Sequence, residues 1–418
     1  MTQSYHYAHN YIKKSVNASG EYIIITAGSG MTTVINKLQR ILSLKSLNHF
    51  DNNKNIKEED RPIVFITHME HHSNQTSWYE TIADVEIIKP DENLMVDLDD
   101  LREKLEKYKH RPFKIGAFTA CSNVTGICTP YHEMAKIMHE NGGICFVDFA
   151  ASAPYVNIDM HPPDPLEQLD AIYYSPHKFL GGPGTPGVLI FNTSLYKQEV
   201  PDNPGGGTVD WTNPWGNYKY VDDIETREDG GTPPFLQTIK AALAIQLKEQ
   251  MGVSNILKRE EELVEKALLG LKKIASIRIL AENITDRLAV ISFYHENIHF
   301  NLLVRILNDR YGIQVRGGCA CAGTYGHYLL EVSYEQSREI TDLINHGDLS
   351  KKPGWVRWSL HPTMLDEEVD YFLFALEEII ANINSWKQDY NYHPRTNEFN
   401  HKSADPCSKD WVNEWFRL

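Results

Sequence analysis

An acid that ends an apolar strand and a lysine in a Ser-x-His-Lys setting are the most informative chemical groups in this chain. The acid is Asp148, which closes the apolar run 143–148, and the lysine is Lys178, which lies in the segment 173–182. An amine that can form an imine and a carboxylate that can face a pyridinium nitrogen are the minimum requirement for pyridoxal phosphate (PLP) chemistry. Most lysines are solvated surface residues, so the pair needs support from other segments.

A glycine-containing turn between a predicted strand at 21–26 and a predicted helix at 33–44 is a candidate anion site. The turn ends in Gly30, Met31 and Thr32. Glycine lets the backbone approach an anion closely, and a helix start presents N–H groups and a favourable dipole. A plain turn followed by a helix cap would have the same sequence pattern.

Polar segments also follow two other predicted strands. His71 belongs to the histidine-rich segment 68–74, whose order is not H-E-x-x-H and for which no second cluster supplies closing ligands, so we predict no metal site. An imidazole stacked on a flat cofactor fits better, and a solvated loop is the alternative. Asn123 occupies a position where ligand-contacting groups collect in open α/β sheets. A turn-forming Asn before Gly126 explains the same residues equally well.

The C-terminal half contributes two thiols and an arginine. Cys319 and Cys321 lie in a Gly/Ala-rich loop, and such a thiol can act as a nucleophile if its thiolate is stabilised. A spectator surface thiol and half of a metal site are the alternatives. Arg357 lies in the alternating segment 355–360 and offers a planar fork suited to a carboxylate. A surface arginine lying over an aromatic ring would show the same pattern.

Composition excludes several classes of protein. The 418 residues are 42% hydrophobic and 23% charged, which is ordinary for a globular protein. A formal charge of −15 argues against nonspecific binding to nucleic acid and against docking on anionic membranes. No apolar run is long enough to span a membrane, and we expect no secretory signal at the N-terminus. Six cysteines in so long a chain do not form a disulfide framework, so we expect reduced thiols and a cytoplasmic location.

The alternation of predicted strands and helices indicates an α/β fold with a mostly parallel sheet covered by helices on both faces. We predict a large domain at 1–250 that would bind PLP, a smaller C-terminal α/β domain at 251–386, and a polar tail at 387–418. The segment 201–231 is rich in Gly, Pro, Trp and Asp and is predicted to be a long irregular loop. A loop of that length inside a compact domain more often has a function than not.

Together these segments resemble the class V, fold-type I PLP-dependent aminotransferase family, most closely its cysteine desulfurase and selenocysteine lyase group, from about residue 5 to about residue 380. The resemblance implies that Lys178 carries PLP as a Schiff base and that Asp148 pairs with the pyridine nitrogen. It further implies that His71 stacks on the ring and that Asn123 approaches the phenolic oxygen. The residues that it assigns to the phosphate are Met31, Thr32, Ser175, His177 and Thr232, and Gly30 is expected to be a further cofactor-binding residue.

The resemblance also implies partners and a reaction. Thr232, in a Gly-Thr-Pro segment, reaches the phosphate in the partner subunit of the family's homodimers, so a homodimer with shared active sites is expected. Arg357 matches the arginine that binds the substrate carboxylate, and Cys321, rather than Cys319, matches the persulfide-forming cysteine. The expected reaction removes sulfur or selenium from L-cysteine or selenocysteine, leaving alanine and an enzyme persulfide. A sulfur-acceptor protein is a further expected partner.

The chain departs from the family pattern at two points. Ala151 stands where the family has a glutamine three residues after the pyridine-pairing aspartate, so a hydrogen bond to the cofactor is expected to be lost. The family's N-terminal arm has no counterpart, so we expect a truncated protein. Another class V reaction on a small amino acid, such as transamination, epimerisation or β-elimination, would make Cys321 a bystander. A PLP-fold scaffold without turnover is the alternative outside enzymes.

Overall fold

The computed structural model describes most of the chain, namely residues 1–18, 20–45, 56–403 and 410–417. The chain divides into two compact units, Met1–Lys258 and Arg259–Leu418. The unit boundary therefore lies close to the sequence-predicted domain boundary at 250/251. No helix within the described ranges combines the length and the apolar character needed to cross a membrane.

The first unit contains a large sheet whose strands are interleaved with helices along the chain. Its strands are β1 (Tyr22–Ala27), β2 (Ile63–Thr67), β3 (Asp84–Ile88), β4 (Lys114–Thr119), β5 (Ile144–Asp148), β6 (Ala171–Tyr174) and β7 (Gly187–Asn192), with a separate hairpin of β8 (Val209–Thr212) and β9 (Tyr218–Tyr220). The seven strands lie in the order β1-β7-β6-β5-β4-β2-β3. The run from β3 to β6 is parallel, whereas β7 is antiparallel to both neighbours. The predicted α/β fold is confirmed, and the carboxyl ends of β2, β4, β5 and β6 meet at one edge.

Helices cover both faces of this sheet. They are α1 (Thr2–Ser15), α2 (Met31–Ile41), α3 (His72–Tyr79), α4 (Leu98–Lys107), α5 (Tyr131–Glu140), α6 (Ile224–Glu228) and α7 (Phe235–Met251). Phe65 of β2 packs in one core with residues of α1, α4, α5 and α7, and its neighbours Val64 and Ile66 pack in a second core with α2 and α3. Successive side chains of a strand point to opposite faces, so a strand covered on both faces is apolar throughout.

The segment 201–231 is more ordered than predicted from the sequence. It contains the hairpin β8–β9 and helix α6, so the prediction of an irregular loop was wrong there. Lys37 of α2 is only 2% exposed, and its Nζ contacts Glu228 Oε2 at 2.6 Å and Asp202 Oδ2 at 3.4 Å. Arg40, one turn further on, donates to both Asp202 oxygens at 2.6 and 2.8 Å. These ion pairs attach the segment to α2, a long-range contact that local composition does not reveal.

The second unit packs helices against a four-stranded antiparallel sheet. Its strands are β10 (Ile277–Ile279), β11 (Val290–His295), β12 (Arg316–Gly318) and β13 (Trp355–Ser359), with a hairpin of β14 (Tyr390–His393) and β15 (Glu398–His401). Its helices are α8 (Val253–Lys273), which begins just before the unit boundary, α9 (Phe300–Tyr311), α10 (Gly323–Leu329), α11 (Tyr334–Asn345), α12 (Asp366–Trp386) and α13 (Asp410–Trp415). The sheet order is β10-β11-β13-β12, and α8, α9 and α12 bury their apolar sides in its core. Tyr390 of the hairpin is part of the same core, so residues of the predicted tail pack against the unit.

Two leucines of α8 provide a matched test of this core. Leu271 is 0% exposed and lies in the core of the second unit, whereas Leu269 is 54% exposed. We expect Leu271→Ala to lower the free energy of unfolding by about 2–5 kcal/mol, because it removes buried methyl groups and leaves a cavity. Leu269→Ala should change it by less than about 0.5 kcal/mol. Urea unfolding followed by tryptophan fluorescence measures both, and equal effects would contradict the packing described.

Candidate active site

Asp148 and Lys178 lie at the carboxyl ends of neighbouring parallel strands. Asp148 is the last residue of β5 and is in register with Tyr173 of β6, which is followed by the 3₁₀ turn Pro176–Lys178. The Asp148 side chain is buried, its Oδ1 accepts the N–H of Ala150 at 2.8 Å, and Lys178 is exposed. Burial raises the pKa of Asp148 to about 6, although the N–H of Ala150 and the charge of Lys178 act to lower it. Lys178 is thus close enough to Asp148 for its charge to favour the ionised carboxylate.

The start of α2 forms a cradle with the segment that follows β6. The backbone N–H of Met31 donates to Ser175 Oγ at 2.9 Å. A Cβ atom on Gly30 would lie 2.8 Å from His177 Cε1 and 3.2 Å from Ser175 Oγ, so only glycine allows this close approach. Backbone N–H groups, a hydroxyl and an imidazole at a helix N-terminus are a donor set suited to a phosphate. The sequence-predicted residues Gly30, Met31, Ser175 and His177 are therefore neighbours.

His71 caps the helix beside this cradle. It precedes α3, and its Nδ1 accepts the N–H of Ser73 at 3.1 Å, which leaves the ring proton on Nε2 when the imidazole is neutral. Ser73 Oγ shares a hydrogen bond of 2.7 Å with the hydroxyl of Thr32, so α3 is tied to the first turn of α2. Among the residues that the structure describes, no three His, Cys, Asp or Glu side chains are grouped so as to hold a metal ion.

Asn123 lies in a tight turn just after β4. The N–H of Gly126, which has a φ of +74°, donates to the carbonyl of Ser122 at 3.0 Å. Ser122 Oγ also accepts the N–H groups of Val124 and Thr125 at 3.1 and 3.3 Å. The sequence left open whether Asn123 forms a turn or contacts a ligand. The structure shows a turn at 122–126, and just before it the N–H of Ala120 donates to the carbonyl of Asp148, the last residue of β5, at 2.9 Å.

Thr232 belongs to a different segment of the first unit from the residues at the start of α2 and after β6. It is exposed, in the connection between α6 and α7. The N–H of the preceding Gly231 donates to the carbonyl of Gly206 at 2.8 Å, which anchors this connection to the segment before β8. Within the described ranges, no hydrogen bond links Thr232 to Ser175 or His177.

Glu70 links the ends of several strands to α3, the helix that His71 caps. This residue was not singled out from the sequence. Its Oε1 accepts the hydroxyl of Thr67 at 2.7 Å and the N–H of Thr119 at 2.8 Å. Its Oε2 accepts Asn74 Nδ2 at 2.8 Å, and Asn74 Oδ1 accepts the hydroxyl of Tyr173 at 2.6 Å. The network therefore connects β2, β4 and β6 to α3, whose cap is His71.

Burial dominates the electrostatics of Glu70. It raises the pKa of Glu70 to about 8, although the donors on Asn74, Thr67 and Thr119 act to lower it. The negative charge of Asp148 raises the pKa further. In the sequence, Glu70 stands among histidines and resembles a residue of a solvated loop. A local signal is its position three residues after the end of the apolar strand β2.

In the second unit, Cys321, Arg316 and Arg357 lie together. Arg316 Nη2 donates to Cys321 Sγ at 3.2 Å. Arg316 of β12 and Arg357 of β13 are cross-strand partners, so their side chains emerge on the same face of the sheet. Cys321 and Arg357 are half-buried. Arg316 was not among the predicted site residues, because its contact with Cys321 depends on how the loop after β12 turns back.

Glu70→Gln tests the role of this buried carboxyl group in stability. The new amide would point N–H groups at Asn74 Nδ2, and loss of that acceptor should cost about 1–3 kcal/mol. The folded pKa of about 8 lies above the ordinary value of 4.5, so Glu70 contributes stability that is complete below pH 4.5 and is lost as the pH rises through 8. Glu70→Gln should flatten that part of the pH–stability curve in urea unfolding. Glu80→Gln, at an exposed position after α3, is the control, and an unchanged slope in Glu70→Gln would refute the role.

Comparisons with known proteins agree with this architecture. A probable cysteine desulfurase from Halalkalibacterium halodurans is 30% identical over 329 residues, covering 77% of this chain and 74% of the relative. A cysteine desulfurase from Haloferax volcanii is 27% identical over 330 residues, covering 76% and 70%. The apo cysteine desulfurase of Thermococcus onnurineus shares the fold, with a TM-score of 0.71, 24% identity and coverage of 91% and 84%. The family model for class-V aminotransferases matches residues 1–372, and the chain therefore belongs to the class-V aminotransferase family.

Proposed function

We propose that this chain is a PLP-dependent cysteine desulfurase that removes sulfur or selenium from L-cysteine or selenocysteine, leaving alanine and a persulfide on Cys321. The observation that carries the proposal is the buried Asp148 beside Lys178 at the ends of β5 and β6. The relatives named cysteine desulfurase support the choice of reaction within the family.

The residues of the first unit fit PLP. Gly30, which lets His177 and Ser175 approach the backbone closely, and the donors of Met31, Ser175 and His177 suit its phosphate. Thr32 could add its hydroxyl at the same helix start. Negative charge at a helix N-terminus is stabilised by the helix dipole as well as by the N–H groups.

Asp148 and Lys178 would carry the chemistry of this unit. When bound, PLP supplies an electron sink for bonds broken at the substrate α- and β-carbons. With a pKa of about 6, Asp148 is largely ionised at neutral pH and would pair with the protonated pyridine nitrogen. Lys178 would hold the cofactor aldehyde covalently and, once replaced by the substrate amine, accept the α-proton. His71 would lie against the ring, and Asn123 would donate to the phenolic oxygen.

The second unit would supply the carboxylate-binding and sulfur-accepting groups. Arg357 has a planar fork that suits the substrate carboxylate. The Cys321 thiolate would form an S–S bond to the substrate sulfur while the Cβ–S bond breaks, so that alanine leaves and the persulfide remains. The N–H that Arg316 donates to Cys321 Sγ supports negative charge on that sulfur.

We also propose a homodimer in which Thr232 completes the phosphate site of the partner. The support is its exposure beside a face of α7 that presents apolar side chains to solvent. Leu236 and Leu243 of this helix are 65% and 58% exposed. Exposed apolar patches of this kind are characteristic of protein interfaces.

A cytoplasmic location and transfer of the persulfide sulfur to an acceptor protein complete the proposal. Persulfide chemistry needs reduced thiols, which the cytosol maintains. The cysteines described by the structure are free thiols, and they are Cys121, Cys128, Cys145, Cys319 and Cys321.

Covalent attachment of the cofactor can be tested at Lys178. We expect the purified chain to be yellow, and borohydride reduction should bleach it and fix the cofactor to the peptide that contains Lys178. Lys178→Ala should lose this label to background, because Lys178 is the lysine whose charge acts on Asp148. Lys197→Ala, at an exposed position, is the control, and mass spectrometry locates the label. A colourless protein, or a label on another lysine, would refute the proposal.

Sulfur transfer can be tested at Cys321. We expect Cys321→Ser to reduce alanine formation from L-cysteine on the order of 10³-fold or more, as loss of an enzyme nucleophile does. Its cofactor absorbance should remain, because Cys321 does not hold the cofactor. Cys128→Ser, which alters an exposed thiol, is the control. If alanine formation survives in Cys321→Ser, the reaction is another of the class V type.

A further inference from the structure

Two cysteines flank a single alanine in the loop between β12 and α10. Cys319 and Cys321 are both half-buried free thiols. The N–H of Ala322 donates to the carbonyl of Cys319 at 3.0 Å, and φ is +51° at Ala320 and +59° at Cys321. The hydrogen bond and the two positive angles are those of a type I′ turn. Residues other than glycine rarely adopt positive φ, so this turn is an unfavourable backbone conformation that its surroundings maintain.

The turn gives the Cα atoms of the two cysteines a separation that is compatible with one shared sulfur atom. When the middle residue has a helical conformation of either hand, Cα atoms two residues apart are separated by about 5.4 Å. The Cα atoms of disulfide-bonded cysteines are usually about 4.4–6.8 Å apart. A sulfur atom can therefore pass between Cys319 and Cys321 without a large movement of the backbone.

We propose that Cys319 is a second sulfur carrier, which accepts the outer sulfur of a persulfide on Cys321; the inference rests on the proposed function. The Cys319 thiolate attacks that outer sulfur, an S–S bond to Cys319 forms, and the S–S bond to Cys321 breaks. Cys321 leaves as a thiolate and takes up the proton that Cys319 released. One thiol and one persulfide are present before and after the step, so no oxidant or reductant is consumed.

The contact with Arg316 sets the direction of transfer. Arg316 Nη2 donates to Cys321 Sγ at 3.2 Å and so stabilises this sulfur as a leaving thiolate. In thiol–disulfide exchange, the better-stabilised thiolate is the better leaving group. The sulfur therefore moves from Cys321 to Cys319, which frees Cys321 for the next substrate while Cys319 holds the sulfur for an acceptor thiol.

Peptide mass spectrometry tests the relay in the full-length, PLP-loaded chain. Limiting L-cysteine is added, samples are quenched with iodoacetamide at successive times, and trypsin then releases one peptide, 317–338, that contains both cysteines and no other. Fragmentation locates the mass of the extra sulfur atom. We expect it on Cys321 at early times and on Cys319 later, and we expect it to remain on Cys321 in Cys319→Ser.

The outcomes separate the relay from the proposed function. If alanine forms and the extra sulfur stays on Cys321 in the unsubstituted chain, the relay is wrong and the desulfurase proposal stands. Sulfur on Cys319 in Cys321→Ser would also overturn the relay, because Cys319 would then not depend on Cys321. If no alanine forms and neither cysteine carries sulfur, the proposed function fails and the relay fails with it.

Discussion

The parallel register of β4, β5 and β6 is the constraint on which the first unit depends. Thr119, Asp148 and Tyr173 are aligned across these strands by their hydrogen-bond ladders. Because side chains alternate between the faces of a strand, a slip of one residue in β5 would turn Asp148 to the opposite face. The carboxylate would then be buried away from Lys178, and burial of a charge without its partner is costly.

Two buried carboxyl groups lie close to this edge, and their surroundings give them different roles. Glu70 is surrounded by donors from two strands and a helix, so it acts as a structural junction. Asp148 accepts the N–H of Ala150 and lies near the charge of Lys178, which suits a group that faces a ligand. The negative charge of Asp148 disfavours ionisation of Glu70. The ionisation of the site acid is therefore coupled to the network that positions His71.

Helix α2 links the site to a distant surface segment. Its first turn meets Ser175, and its later turns hold Asp202 and Glu228 through Lys37 and Arg40. One rigid element thus fixes the cradle and the segment that leads to Thr232. In the second unit, β12 and β13 position the site residues. Their pairing sets Arg316 beside Arg357, and the turn after β12 brings Cys321 into contact with Arg316.

Much of this arrangement was accessible from the sequence. The apolar run ending in Asp148, the setting of Lys178 and the alternation of strands and helices are local patterns, and the fold that they predicted is confirmed. Glu70, Arg316 and the hairpins at 209–220 and 390–401 were missed. Their partners are distant or depend on a turn, as with Glu70 and Thr119, which lie 49 positions apart. Periodicity reports which side of an element is apolar but not which element covers it.

The sequence by itself determined which groups can react and where strands end in polar residues, because both are properties of neighbouring residues. The tertiary structure decided which of those groups share an environment. Burial and hydrogen-bond partners set the pKa values of Asp148 and Glu70, and both depend on residues that only the folded chain brings together.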